Sequence, residues 1–408
     1  MIKSITSVKV TSRRVIVRAG FDIPLKQNIH TKEWEVADDT RIRDCLKTLQ
    51  YLIDQKAKII IIAHLGRPEE WDESKSQWPV AKKLAEILNY KAVKISDRLP
   101  NYKVPHVNFL DQDITKKDYS DLSKKIPDGD ILFLENLRFY PGEKENSTKF
   151  ATTLAKFGDI YVQEGFSNAH RKDTSMYALA LKLPHYGGVS FLKEIISLRK
   201  IINNPSLPLI VIMGGAKIDD KVETLNNLGK HATKIILGGA IATTFQKAIG
   251  YDVGKSKISN VTLAKQIWRR YREKIFLPID VVVSTDLESK PRLCKIEKVR
   301  PNESIYDVGP ESIRQISQII KTGKTLVWNG PFGVFENSHY AFGSKAIANA
   351  FASRSKGHAF GAVGGGETVE LINQAKVNQY VDHLSTGGGA MLEFLAGKEL
   401  PAIKVLEE

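Results

Sequence analysis

Five segments of this 408-residue chain are built around glycine, four of them after an apolar run and most of them before a helix-type pattern, and one is followed at once by a lysine. They read Met213-Gly214-Gly215-Ala216-Lys217, Leu237-Gly238-Gly239-Ala240, Asn329-Gly330-Pro331-Phe332-Gly333, Val363-Gly364-Gly365-Gly366-Glu367-Thr368 and Ser385-Thr386-Gly387-Gly388-Gly389. Glycine lets a ligand approach the backbone, and the first turn of the next helix offers unpaired N–H groups to an anion. Several such turns along one edge of a parallel sheet would form a phosphate-binding rim at the carboxyl ends of its strands. A single Gly-Gly after a strand more often just packs a helix. Repeated five times, with a lysine, the pattern points to a nucleotide.

The first half supplies cations at corresponding places. Arg18 ends one apolar run, Arg41 follows in Asp38-Asp39-Thr40-Arg41, and His64-Leu65-Gly66-Arg67-Pro68 ends another. Arg138 lies in Glu135-Asn136-Leu137-Arg138-Phe139, and His170-Arg171 closes the loop after Val162. Any one of these reads as an ordinary surface or ion-paired residue. Just beyond successive strand ends of one parallel sheet they should converge. Guanidinium groups bind carboxylate and phosphate in bidentate fashion, so the expected guest is a small phosphorylated acid.

The elements that must position these residues alternate between strand and helix signals. Residues 14–18, 58–63, 130–134 and 159–162 are buried-strand runs, and 43–55 and 80–88 carry apolar residues at helical spacing. A helical pattern over 191–202 breaks at Asn203-Asn204-Pro205-Ser206-Leu207-Pro208, and a second β-α series runs from Leu209 to the end. The expected fold is α/β: two doubly wound, Rossmann-like parallel-sheet domains joined by an interdomain helix. The first domain spans 1–188, the helix 189–204 and the second domain 205–389.

Composition narrows the function. Apolar residues make up 42% and charged residues 26%, which excludes global disorder. No apolar run approaches the roughly 18 residues needed to span a bilayer, and the start lacks the apolar stretch of a signal peptide. Cys45 and Cys294 are isolated and read as reduced thiols of a cytoplasmic protein. The net charge of +14 could attract nucleic acid. Its densest stretch, Arg269-Arg270-Tyr271-Arg272, sits in a helix-like run and reads as a solvated face. Gly250-Tyr251-Asp252-Val253-Gly254-Lys255-Ser256 is one residue short of a phosphate loop and follows a helix, so it reads as a plain loop. No G-x-G-x-x-G fingerprint follows the first strand, which argues against a dehydrogenase.

The ordered motifs together resemble phosphoglycerate kinase over essentially the full chain. The resemblance rests on Val17-Arg18-Ala19-Gly20-Phe21-Asp22-Ile23-Pro24, Ala63-His64-Leu65-Gly66-Arg67-Pro68, Leu134 to Phe139, Gly165 to Arg171, Gly214 to Lys217, Pro278 to Val282, Asp307 to Glu311, Trp328 to Glu336 and Ser385 to Ala390. It implies reversible phosphoryl transfer between 1,3-bisphosphoglycerate and ADP. Asp22, Arg41, His64, Leu65, Gly66, Arg67, Arg138 and Arg171 would bind the phosphoglycerate. Gly215, Lys217, Lys221, Gly238, Gly239, Gly309, Pro331, Val334, Glu336, Gly364, Gly365, Gly366, Glu367 and Thr368 would bind ADP or ATP as its Mg2+ complex, with Glu367 nearest the metal. Arg41, Lys217, Gly387 and Gly388 would stabilise the phosphoryl group in transfer. The segment 390–408 would return to the first domain. The implied partners are these small molecules alone, with neither nucleic acid nor membrane, and the chain is expected to be a monomer.

Three places depart from the family pattern. The family reads Arg-Val-Asp-Phe-Asn-Val-Pro where this chain has Arg18-Ala19-Gly20-Phe21-Asp22-Ile23-Pro24, so a carboxylate is absent at Gly20 and appears at Asp22. Residues two apart on an extended segment share a face, so Asp22 can stand in for the missing group. An Asn-Asp pair is replaced by Gln163-Glu164, and an aspartate by Glu367. These departures motivate the alternative, a catalytically weakened relative kept for ligand binding or regulation.

Overall fold

The computed structural model describes residues 2–101 and 103–408. Their contacts gather into two units, Met1–Ile195 with Glu399–Glu408, and Ile196–Lys398.

In the first unit the strands are β1 (Arg14–Arg18), β2 (Leu25–Gln27), β3 (Trp34–Val36), β4 (Lys58–Ile62), β5 (Lys91–Ile95), β6 (His106–Leu110), β7 (Ile131–Leu134), β8 (Ile160–Gln163) and β9 (His185–Gly187). β2 and β3 form an antiparallel hairpin, and the other strands form one parallel sheet in the order β5-β6-β7-β4-β1-β8-β9. The helices are α1 (Thr40–Asp54), α2 (Trp78–Leu88), α3 (Asp121–Lys125), α4 (Pro141–Lys144) and α5 (Thr148–Ala155), and α6 (Val189–Ile202) begins in this unit and ends in the second. Continuous apolar runs are what a sheet covered on both faces requires. Val15, Val17, Ile59, Ile61 and Phe133 point one way, into a core with Leu49 and Leu52 of α1 and Leu84 of α2. Ile16, Ile60 and Leu132 point the other way and are equally buried. The terminal helix α14 (Pro401–Glu407) belongs to this unit, its Ala402 N–H donating to Ala169 O at 3.2 Å.

The second unit holds β10 (Leu209–Met213), β11 (Lys234–Leu237), β12 (Ile275–Phe276), β13 (Asp280–Ser284), β14 (Arg292–Lys295), β15 (Ser304–Val308), β16 (Thr325–Asn329), β17 (Phe360–Gly364) and β18 (His383–Ser385). Its parallel sheet runs β12-β11-β10-β16-β17-β18. Its helices are α7 (Val222–His231), α8 (Gly239–Ala248), α9 (Val261–Tyr271), α10 (Pro310–Thr322), α11 (Phe342–His358), α12 (Gly366–Gln374) and α13 (Gly389–Leu395), and α14 in the first unit spans Pro401–Glu407. Trp328, fully buried on β16, packs with Phe332 and Phe351. One departure from a simple β-α series is a separate antiparallel sheet, β14-β13-β15. The link between β13 and β14 is too short for a helical crossover, so the chain must fold straight back. No helix among the described residues is long and apolar enough to cross a membrane, and Arg269 and Arg270 are exposed at the end of α9.

Candidate active site

Register decides what the strand ends bring together. In the first unit Arg18 pairs with Ile62 on one side and Gln163 on the other, and Ile61 pairs with Phe133. The segments after β1, β4, β7 and β8 therefore leave the sheet at one level, and they carry Asp22, His64 to Arg67, Arg138 and Arg171. Asp22 Oδ1 accepts the Gly66 N–H at 2.8 Å, its Oδ2 lies 3.7 Å from His64 Nε2, and Arg41 Nη1 donates to its backbone oxygen. Burial opposes ionisation of Asp22, but the contacts with His64, Gly66 and Arg41 outweigh it and hold the carboxyl down at about 2. His64 is pushed down to about 4, first by burial and then by the charges of Arg18 and Arg138, against the pull of Asp22. The ring is therefore neutral at pH 7.

Asn136 braces the same loop: its Oδ1 accepts from Leu65 N and Arg138 N, and its Nδ2 donates to Leu65 O and Lys75 O. Arg138, 4% exposed, gives Nη2 to Asp173 at 2.5 Å. The buried Nε atoms of Arg138 and Arg171 have no hydrogen-bond partner. An unpaired buried donor is costly, so two of them beside one strand-end edge fit an anionic guest. Arg67 is exposed directly after Gly66.

Arg18 differs from the other arginines. It is fully buried, and Nε donates to Ser175 Oγ at 2.7 Å, Nη2 to His64 Nδ1 at 2.7 Å and Nη1 to Ala19 O. Its place at a strand end suggested a ligand-binding cation. Inward partners take its donors instead, so it supports the site from beneath.

In the second unit Leu237, Met213, Asn329, Gly364 and Ser385 pair across neighbouring strands in one line. All five glycine turns thus leave the sheet at one rim. Gly330 has φ +95°, and a Cβ there would lie 2.2 Å from Gly214 O, so only glycine lets these turns touch. Its N–H donates to Thr368 Oγ1 at 2.7 Å, tying a third turn in. Lys221 Nζ donates to Gly214 O at 2.5 Å and Asn329 O at 3.3 Å, and burial lowers it to about 8 against Glu367 and Asp220. Lys217 is exposed just beyond the rim.

A cavity of about 500 Å³ opens there, lined by Gly215, Gly239, Pro331, Val334, Glu336 and Glu367. Other residues singled out in the sequence serve packing. A Cβ at Gly238 would meet the Phe332 ring at 2.4 Å, one at Gly364 would meet Met391 Sδ at 1.8 Å, and Gly309 sits against the Asp280 carboxylate that caps α10. Gly365 and Gly366 open α12, with Glu367 in its first turn, where a carboxylate suits the helix dipole. Gly387 N–H donates to Ser385 Oγ at 3.1 Å. Gly388, at φ +45°, opens α13 and faces open space.

Sequence reasoning missed Lys255 and Lys257, which also line the cavity. Lys255 sits in the segment 250–256, which by sequence reads as a plain loop, and Lys257 follows directly after it. The glycines and lysines of this segment were the available signal. What brings it to the rim is distant in sequence: Lys255 N–H donates to Glu303 O at 2.7 Å, just ahead of β15. Among the described residues no cluster of three or more His, Cys, Asp or Glu could hold a metal ion. Glu367 lines the cavity and, like Asp220, carries a carboxylate close to Lys221, which fits a metal brought in by the nucleotide's own phosphates.

Comparison with known proteins agrees with these features. The family model described as phosphoglycerate kinase matches residues 5–398. The phosphoglycerate kinase of Helicobacter pylori (strain ATCC 700392 / 26695) is 36% identical over 416 residues, covering 100% of this chain and 97% of that protein. That of Borrelia turicatae (strain 91E135) is 36% identical over 415 residues and 100% of both. The solved phosphoglycerate kinase of Coxiella burnetii superposes with a TM-score of 0.84 at 34% identity, covering 100% of this chain and 99% of the other. That of Pyrococcus horikoshii OT3 gives 0.83 at 26% identity, covering 100% and 98%.

Proposed function

The chain belongs to the phosphoglycerate kinase family, and we propose how its two units divide the reaction. Phosphoryl passes reversibly between the acyl phosphate of 1,3-bisphosphoglycerate and ADP, giving 3-phosphoglycerate and ATP. The first unit holds the phosphoglycerate through Asp22, Arg41, His64, Arg67, Arg138 and Arg171. The orphaned Nε atoms of Arg138 and Arg171 carry this reading. The second unit holds the nucleotide in the cavity at the glycine rim, with its base and ribose toward Val334 and Glu336 and its phosphates toward Gly215, Lys217, Lys221 and the N-terminus of α12.

In the ATP-consuming direction the nucleophile is a carboxylate, ionised at neutral pH, so no base has to remove a proton. The carboxylate oxygen forms a bond to the γ-phosphorus as the bond to the ADP oxygen breaks. Catalysis then rests on alignment and on cations at the phosphoryl group in flight. Arg41, Lys217 and the N–H groups around Gly387 and Gly388 supply these. Glu367 would face the magnesium that accompanies the nucleotide, an ion that would offset the charge of the phosphates.

A coupled assay of ATP formation from 1,3-bisphosphoglycerate and ADP tests the whole reading, and ligand binding without turnover would overturn it in favour of a non-catalytic relative.

A further inference from the structure

A chain of side chains runs inward from the phosphoglycerate site and ends on a carboxylate that no step of the reaction uses. Glu143 lies at 0% exposure, its Oε1 accepting Ser175 Oγ–H at 2.5 Å and its Oε2 accepting Ser175 N–H at 3.0 Å. Ser175 Oγ in turn accepts from Arg18 Nε at 2.7 Å, and Arg18 Nη2 reaches His64 Nδ1 at 2.7 Å. A guanidinium has only donors. His64 Nδ1 must therefore be the acceptor, and a neutral ring then carries its proton on Nε2. That atom faces Asp22 Oδ2 at 3.7 Å and Asn168 Nδ2 at 3.5 Å. The second approach sets donor against donor, and turning the Asn168 amide over would give Nε2–H its oxygen.

We propose that Arg18 is a positioning residue, anchored by Ser175 and Glu143, that locks His64 as the neutral Nε2–H tautomer and so turns it into a fixed hydrogen-bond donor for the phosphoglycerate. This rests on the reading that His64 lines that site. A lone buried guanidinium would be costly, and the Glu143 carboxylate is what makes it tolerable so deep in the unit. The charged groups that face His64 are Arg18 from β1, Asp22 from the segment after it and Arg138 from the segment after β7. Two of the three repel a proton on the ring, so the donor stays in place through the pH range where an ordinary histidine titrates. The other ring nitrogen fixes which atom bears the hydrogen, much as a backbone or carboxylate partner does for a histidine that binds a metal.

The test is nitrogen-15 NMR of the ring in the ligand-free protein, read together with KM for 3-phosphoglycerate against pH. In the wild type we expect a protonated Nε2 and a bare Nδ1 from pH 5.5 to 8, with KM free of a histidine inflection. A proton on Nδ1, or a ring that titrates near the ordinary value, would overturn the proposal. In Arg18→Met the tautomers should mix, and KM should rise about 10-fold and acquire an inflection, of the size expected for losing one oriented hydrogen bond to an anion. Arg18→Met leaves the buried Glu143 without its countercharge and can prevent folding. Arg18→Met with Glu143→Gln removes both charges and should behave the same way, whereas an unchanged tautomer there would overturn the role of Arg18. If the tautomer is as expected but His64→Leu leaves KM untouched, the assignment of the site fails instead, so the two errors are told apart.

Discussion

The proposed phosphoglycerate site in the first unit is made of side chains that arrive on irregular loops. Asp22, His64 and Arg138 each depend on a partner such as Gly66, Arg18 or Asp173 to hold their direction. The nucleotide rim of the second unit is made mostly of backbone, five glycine turns aligned by strand register with cations at their edge. Side-chain sites discriminate through geometry and charge, and a group missing at one position can be supplied from another that faces the same way. Backbone sites tolerate no such exchange, because the constraint is the absence of a Cβ. The two units should therefore fail differently when altered.

The largest effect is expected at Lys217, the exposed cation beyond the first glycine turn. Removing one preorganised charge from a transferring group costs on the order of 100-fold in rate. Lys217→Ala should lower kcat by about that factor and change KM for either ligand little. A loss confined to KM would move Lys217 from the phosphoryl group to ground-state binding.

The rim itself separates packing from binding. At Gly330 an added Cβ meets Gly214 O at 2.2 Å with φ at +95°, whereas at Gly366 it meets nothing within 4 Å. Strain of this kind costs roughly 1–3 kcal/mol before the clash is counted. Gly330→Ala should lower the Tm by several degrees, on the order of 2–4 °C per kcal/mol for a unit of this size. Gly366→Ala should leave the Tm alone yet raise KM for ATP roughly 3-fold by crowding the backbone N–H groups that receive phosphate. Equal stability losses in both would mean that the rim is built for packing only.

This contrast also explains how much of the molecule the sequence revealed. The glycine turns were legible because apolar runs mark the strand ends, and strands of one sheet share an edge. The antiparallel β13 to β15 were not, since short β-type runs carry no sign of pairing direction. Lys255 and Lys257 escaped notice because their loop reaches the rim through Glu303, about 50 residues away in sequence. Arg18 reads as a ligand-binding arginine by position alone. Only tertiary structure reveals that Ser175 and His64 take its donors inward.

A smaller effect sharpens the side-chain half of the comparison. A Cβ at Gly20 would meet Ser167 Oγ at 3.3 Å and Gly165 Cα at 3.4 Å, close enough to require slight adjustment but not rearrangement. If Asp22 has taken over a hydroxyl contact, Asp22→Asn should raise KM for 3-phosphoglycerate about 10-fold. In a Gly20→Asp background the same change should matter less, giving a measurable coupling between the two positions. Strict additivity would remove the exchange of roles.

The smallest effect concerns Glu367, an acidic group that lines the cavity at the glycine rim. Its carboxylate lies in the first turn of α12 and lines the cavity. With one methylene more than aspartate it can meet a nucleotide-bound magnesium through a retained water, since this ion dehydrates reluctantly. Contact through water is weaker than direct ligation, so Glu367→Gln should raise the magnesium concentration for half-maximal activity only about 3-fold, and Glu367→Asp less. The helix-dipole interaction complicates the reading, because Gln also removes a favourable charge worth about 0.3–1 kcal/mol at that helix end. Thermal unfolding without nucleotide isolates the dipole share, and the magnesium titration at saturating ATP isolates the ion's. An unchanged magnesium requirement beside a lowered Tm would make Glu367 a helix-capping charge, and the rim would then meet the metal through backbone and nucleotide alone.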